Sequence, residues 1–132
     1  MDYKIRLIRY LYFLSLTGLL FIYLFPGSIF GYIFYGDIKQ QPNIISNPFG
    51  TSINHMFAFL YLSLLGLFSF LSSKNYKKII LFLITLSIVL ELTHIIIPVR
   101  SFQTSDLVGN LLGTFLAIVI MMFYKWWKYG KI

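Results

Sequence analysis

Four stretches of this chain, 7–25, 53–71, 79–97 and 107–124, are apolar for 18 or 19 residues at a time, and no other feature restricts its folds so tightly. About 20 helical residues cross the hydrocarbon of a bilayer, so each run is long enough to span. Backbone polar groups in hydrocarbon must be paired within the segment or in a closed barrel, and these runs lack the alternation of strands, so they predict helices. Composition points the same way. Hydrophobic residues make up 58% of the 132 positions, and charged residues only 11%, where a soluble domain carries roughly a quarter. The predicted fold class is all-α: one domain over 1–132, an integral membrane bundle of four transmembrane helices, with an outer interfacial loop at 26–52. The absence of cysteine excludes disulfides and thiolate chemistry.

The cations predict an orientation. Lys4, Arg6 and Arg9 precede or open the first run, Lys74, Lys77 and Lys78 lie at the link before the third, and Lys125, Lys128 and Lys131 follow the fourth, leaving Lys39 and Arg100 opposite. An excess of Lys and Arg marks cytoplasmic loops, so both termini are expected in the cytoplasm, in a multi-pass membrane protein. Arg9 can snorkel to the headgroups, and Trp126 with Trp127 suits an interfacial anchor. The net charge of +7 is accounted for by anionic lipid at that surface, and no nucleic-acid partner is expected. The first run is longer than the apolar segment of a cleaved signal and lacks a small-x-small site after it, which predicts an uncleaved anchor.

The link between the first two runs has two parts. "GSIFGYIFYGD" is aromatic, broken by glycine and too short to span, which suits the headgroup layer. "QQPNIISNPFGTS", with Pro42 and Pro48, reads as turns, either an ordinary connector or a lid over the helix ends.

Polar residues concentrate in "LELTHIIIPVRSFQTSDLVGN". His55 opens the second run, and Glu91 and His94 lie in the outer part of the third. Pro98 is expected to end that helix, with Arg100 in the following loop and "TSD" supplying the N-cap of the fourth; Asp106 suits the helix dipole there. Asn110 is one turn deeper on the face of Asp106. These six residues therefore converge on one layer near the outer surface and form the candidate ligand site. A carboxylate at mid-bilayer costs on the order of 2.5–3.5 kcal/mol, so Glu91 should face the bundle, protonated or paired with Arg100 or His94. The alternative is that the same groups only clip helices together, with Arg100 paired to Asp106.

The spacing Glu91-x-x-His94, Pro98-Val99-Arg100-Ser101-Phe102, Asp106-x-x-x-Asn110-x-x-Gly113, together with "HMFAFLYLSLLGL" upstream, resembles the signature of VanZ-like membrane proteins over about 51–117. The resemblance implies a small bacterial inner-membrane protein from a family whose best-known relative is linked to resistance to the glycopeptide teicoplanin; it implies no particular reaction. The sequence departs from that pattern at Thr51 and Ser52, where relatives often carry Asp-Lys, and at His94, more usually glutamine.

Several functions remain open on these residues. One is recognition of an anionic or polyol headgroup, such as an envelope lipid or a lipid-linked envelope precursor, by Arg100 and the start of the fourth helix, in glycopeptide resistance or envelope homeostasis. Another is an intramembrane acid–base hydrolase or transferase using His55 or His94 with Glu91, although no G-x-S-x-G nucleophile motif is present. A mononuclear metal held by Glu91, His94, His55 and Asp106 is a weaker variant, and no cofactor is expected. The last is a non-catalytic assembly subunit whose Gly66, Gly109 and Gly113 permit close helix packing with partners not identifiable from sequence; Gly109 and Gly113 more often pack within one chain.

Overall fold

The structure, a computed structural model, describes residues 3–40 and 52–130. Five helices and no strands occur among them: α1 (Tyr3–Leu24), α2 (Ile29–Tyr35), α3 (Ile53–Ser69), α4 (Tyr76–Thr93) and α5 (Thr104–Tyr129). The all-α class is therefore observed. Two of these helices, α1 with 22 residues and α5 with 26, are long and apolar enough to cross a membrane. At about 1.5 Å per residue they extend roughly 33 and 39 Å.

Each boundary has a local cause. Pro26 follows α1 and cannot continue a helix, and Gly27 turns the chain at φ 111°. Within "GSIFGYIFYGD" the backbone forms α2. The Ser28 hydroxyl accepts from the Gly31 N–H at 2.9 Å, and Gly36 closes the helix in the left-handed region at φ 70°. The third predicted run is overextended at its end: α4 stops at Thr93, five residues short of Pro98. Ile95, Ile96 and Ile97 lie in tight turns, their N–H groups bonded to Leu92 and Thr93 carbonyls. Hydropathy counted these isoleucines as helix because it does not register backbone geometry. The fourth helix begins earlier than predicted. Gln103 holds the N-cap position without a side-chain bond, and Asp106 lies inside the first turn. The segment containing Pro42 and Pro48, predicted as turns or a lid, lies outside the described residues.

The long helices run alternately up and down, so that α3 and α5 lie parallel and form the tightest packing. A Cβ on Gly113 would collide with the Met56 carbonyl oxygen, and one on Gly109 would lie 2.5 Å from the Ser52 carbonyl oxygen. Small side chains at these two positions let the helix backbones touch. The glycine pair noted in the sequence is therefore used within the chain.

Two levels result. Towards the α1 N-terminus, Tyr12, Leu62, Leu67, Leu83, Ala117 and Met121 form an apolar cluster. Towards the other end, Tyr23, Phe59 and Leu90 pack together, and beside them Glu91, His94, Asp106 and Asn110 are buried. The outside is oily: Leu14, Phe21, Leu81, Phe115 and Phe123 are exposed. Lys4, Arg6, Lys74, Lys77, Lys78, Lys125 and Lys128 lie by chain order at the apolar-cluster end, called the basic end below; the end with the buried carboxylates is called the polar end.

Candidate functional site

The polar layer is organised around Tyr23, near the C-terminus of α1. Its ring stacks on His94 (centroids 5.6 Å apart, interplanar angle 19°) and meets His55 edge-on at 5.4 Å. Its hydroxyl donates to Asn110 Oδ1 at 2.9 Å, and Asn110 Nδ2 donates to the Ser87 carbonyl at 3.3 Å. Asn110 thus joins α1, α4 and α5 in a buried chain of bonds. A buried amide is tolerated in such surroundings only when its donors and acceptors find partners.

Two histidine–carboxylate contacts flank Tyr23. On one side His55 Nδ1 is 3.1 Å from Asp106 Oδ1, with the Ser105 hydroxyl donating to the same oxygen at 3.4 Å. Ser52 Oγ also meets His55 Nδ1, at 2.5 Å. This is not the arrangement of a Ser-His-Asp triad, which needs the hydroxyl and the carboxylate on opposite ring nitrogens; here both address Nδ1.

On the other side His94 Nδ1 is 3.3 Å from Glu91 Oε2, and His94 Nε2 lies 3.2 Å from the Tyr23 carbonyl. Glu91 is 0% exposed. Its Oε1 accepts the Gln103 N–H at 3.0 Å, so a carboxyl from α4 caps the start of α5 where no local side chain does. Oε2 has no hydrogen-bond partner. Its short distance to His94 is a contact without hydrogen-bond alignment, and a buried acceptor left in that state costs about 1–3 kcal/mol.

Arg100 sits differently from the sequence expectation. Its Nη2 donates to the Ile22 carbonyl at 3.0 Å and its Nε to the Phe25 carbonyl at 3.5 Å. Arg100 therefore caps the C-terminus of α1, whose last carbonyls have no intrahelical partners. Neither Asp106 nor Glu91 forms an ion pair with it among the described residues; Glu91 takes His94 and Asp106 takes His55. Burial lowers the Arg100 pKa, while Tyr23, Glu91 and Asp106 nearby raise it. The group stays cationic at neutral pH. The preceding residue, Val99, is held at φ 65°, a left-handed conformation that a β-branched side chain rarely adopts.

The structure thus brings His55, Glu91, His94, Asp106 and Asn110 together around Tyr23 and sets Arg100 at their edge, over the end of α1. The start of α5, expected to help bind an anion, already receives the Glu91 carboxyl. Among the described residues, no group of three or more His, Cys, Asp or Glu is placed to hold a metal ion. Sequence reasoning missed Tyr23, Ser52, Ser87 and Gln103. Tyr23 had one available signal, its position at the outer end of the first apolar run, level with His55 and Glu91.

A family model described as VanZ/LLP1 matches residues 10–125, most of the chain and all of this layer. The chain belongs to the VanZ/LLP1 family. The match extends beyond the half of the chain covered by the motif resemblance and takes in α1, which supplies Tyr23. No curated protein matches the chain, and no solved structure does. Within this VanZ/LLP1 chain, Ser52 contacts His55 directly. His94 fills the space between Glu91 and Tyr23.

Proposed function

We propose that this VanZ/LLP1-family chain is a four-helix integral membrane protein of a bacterial inner membrane, with both termini cytoplasmic, that binds an anionic or polyol lipid headgroup at its polar end. The inside-out distribution of side chains supports the membrane. Of the most apolar windows of α1 and α5, only 11% and 33% is buried, whereas the apolar core helix of a water-soluble protein is mostly covered. The polar groups are inside, and large apolar groups face out over an area that water does not tolerate. Basic residues at the end opposite the carboxylates support the orientation.

Arg100 is the observation that carries the binding reading. Guanidinium has five N–H donors in a planar fork. Two bonds go to α1 carbonyls, and the remaining donors are free to grip phosphate or carboxylate. Beneath it, Glu91 Oε2 is a buried acceptor without a donor, suited to a hydroxyl of the headgroup once the layer opens. Membrane lipids or a lipid-linked envelope precursor are the ligands of this chemistry, and envelope homeostasis or glycopeptide resistance is the setting the family suggests. The test is the profile of lipids that co-purify with the protein and with Arg100→Ala. Loss of one anionic or polyol class from the variant is expected; identical profiles, with an unchanged cellular phenotype, would overturn the reading.

A second reading, intramembrane acid–base chemistry, draws on the His55–Asp106 contact, in which a carboxylate orients an imidazole. Turnover of a lipid substrate that disappears in both His55→Ala and Glu91→Gln would favour it. Binding that survives without any product would favour the headgroup site alone.

A further inference from the structure

A groove of about 440 Å³ runs along the outer face of α1, lined by Thr17, Leu20, Phe21, Leu24, Phe25 and Pro26. Its size falls within the roughly 300–1,000 Å³ of small-molecule sites. Its walls are almost wholly apolar. The one side chain with a hydroxyl, Thr17, donates it to the Phe13 carbonyl at 2.9 Å, which leaves its methyl for the groove. Residues 17 to 25 advance about 12 Å along the helix, and Phe21 and Leu24 are open to the surroundings.

The end of the groove makes it more than an uncovered face. Phe25, which lines it, also gives its carbonyl to Arg100 Nε, and Nη2 holds Ile22 in the preceding turn. A shallow apolar groove therefore ends beside a half-buried cation that has N–H donors to spare. Neither neighbouring carboxylate is in ion-pair contact with that cation, each being engaged by a histidine. A long chain joined to an anion matches both halves of this surface.

We propose that the α1 groove seats the hydrocarbon chain of an anionic lipid whose head rests on Arg100, so that the ligand is an intact amphiphile arriving sideways from the bilayer. The proposal rests on the headgroup reading above and narrows it from headgroup to whole lipid. The chain comes from hydrocarbon and not from water, so what it adds to the head's contacts is close packing along the groove rather than transfer free energy.

The protein in vesicles containing phosphatidylglycerol with a diazirine in its acyl chain provides the test, with the matching phosphatidylcholine probe as control. Photolysis is expected to label the α1 peptide bearing 17–25, with label about tenfold lower for phosphatidylcholine and for Arg100→Ala. Thr17→Trp, an exposed change that fills the groove and leaves the interior untouched, is expected to reduce phosphatidylglycerol label by a similar factor at unchanged helicity. Label that depends on Arg100 but maps to other helices would overturn the groove while leaving the headgroup reading intact. Equal labelling by both probes and in both variants would mean annular lipid only and would also overturn it. Displacement of the probe by glycerol phosphate, as effective as by unlabelled phosphatidylglycerol, would overturn the chain's contribution and keep the head. Co-purified lipids unchanged by Arg100→Ala would remove both readings together.

Discussion

Arg9 and Arg100 make the same first contact at opposite ends of the bundle. Arg9 Nη2 donates to the Ser69 carbonyl at 3.0 Å, at the end of α3; Arg100 Nη2 donates to Ile22 at the same distance, at the end of α1. Their surroundings then diverge. Arg9 lies 4.5 Å from the Phe70 ring centroid, in an aromatic corner with Tyr12 and Phe13, and its buried Nε has no partner. Arg100 stands beside a layer of two carboxylates, two imidazoles, a phenol and an amide, all buried except the half-buried His55, at the end of an apolar groove. On the headgroup reading proposed above, the difference separates capping from recognition. Both arginines satisfy a helix end, and the proposal gives the remaining donors of Arg100 alone to a ligand.

The strongest way to break this comparison is at the seam that builds the polar end. Gly113→Val puts a side chain into the Met56 carbonyl and should cost about 3 kcal/mol or more, read as loss of the folded bundle in denaturant titration. A fold that tolerates it would show that α3 and α5 are not held as close as described. Next, Arg9→Ala and Arg100→Ala should each cost about 1.5–3 kcal/mol, since each removes a charge-assisted bond to a helix carbonyl. Only Arg100→Ala should also strip bound anionic lipid, and equal lipid loss from both variants would erase the distinction.

Glu91 sharpens the account from inside the layer. Glu91→Ala leaves the start of α5 uncapped and should destabilise by about 1–2 kcal/mol. Glu91→Gln keeps an acceptor for the Gln103 N–H and should cost less than about 1 kcal/mol. Thermal melts of both in one detergent decide it; equal losses would mean that charge, not the cap, is what matters. The smallest effect is expected at Val99. With φ at 65°, Val99→Gly should relieve strain and stabilise by up to about 1 kcal/mol, because glycine adopts that conformation freely. A destabilised Val99→Gly would show that the side chain contributes more than the backbone conformation costs.

These residues also show how far sequence reaches. The long helices were legible because each is an apolar run bounded by cations or proline, and Asp106 with Asn110 was legible because positions four apart share a helix face. The end of α4 was not: Ile95, Ile96 and Ile97 look like helix on any hydropathy scale, and only the turn geometry after Thr93 removes them. Tyr23 is one of ten tyrosines, and nothing next to it marks the ring that meets both His55 and His94. Arg100 was found as a cation, read as a headgroup ligand, and the partners considered for it within the protein were carboxylates. Its actual acceptors are backbone carbonyls more than 70 positions away, and carbonyls leave no trace in composition. Depth along a helix can be counted from sequence; partner choice across helices depends on packing.

A high-resolution density map of the protein in native lipid tests the central claim most directly. The account predicts a phosphate- or carboxylate-shaped feature against the free guanidinium N–H groups of Arg100, continuous with chain density along Thr17, Leu20 and Leu24. A map in which Arg100 meets only the α1 carbonyls, with lipid density no better ordered there than around the rest of the bundle, would contradict it.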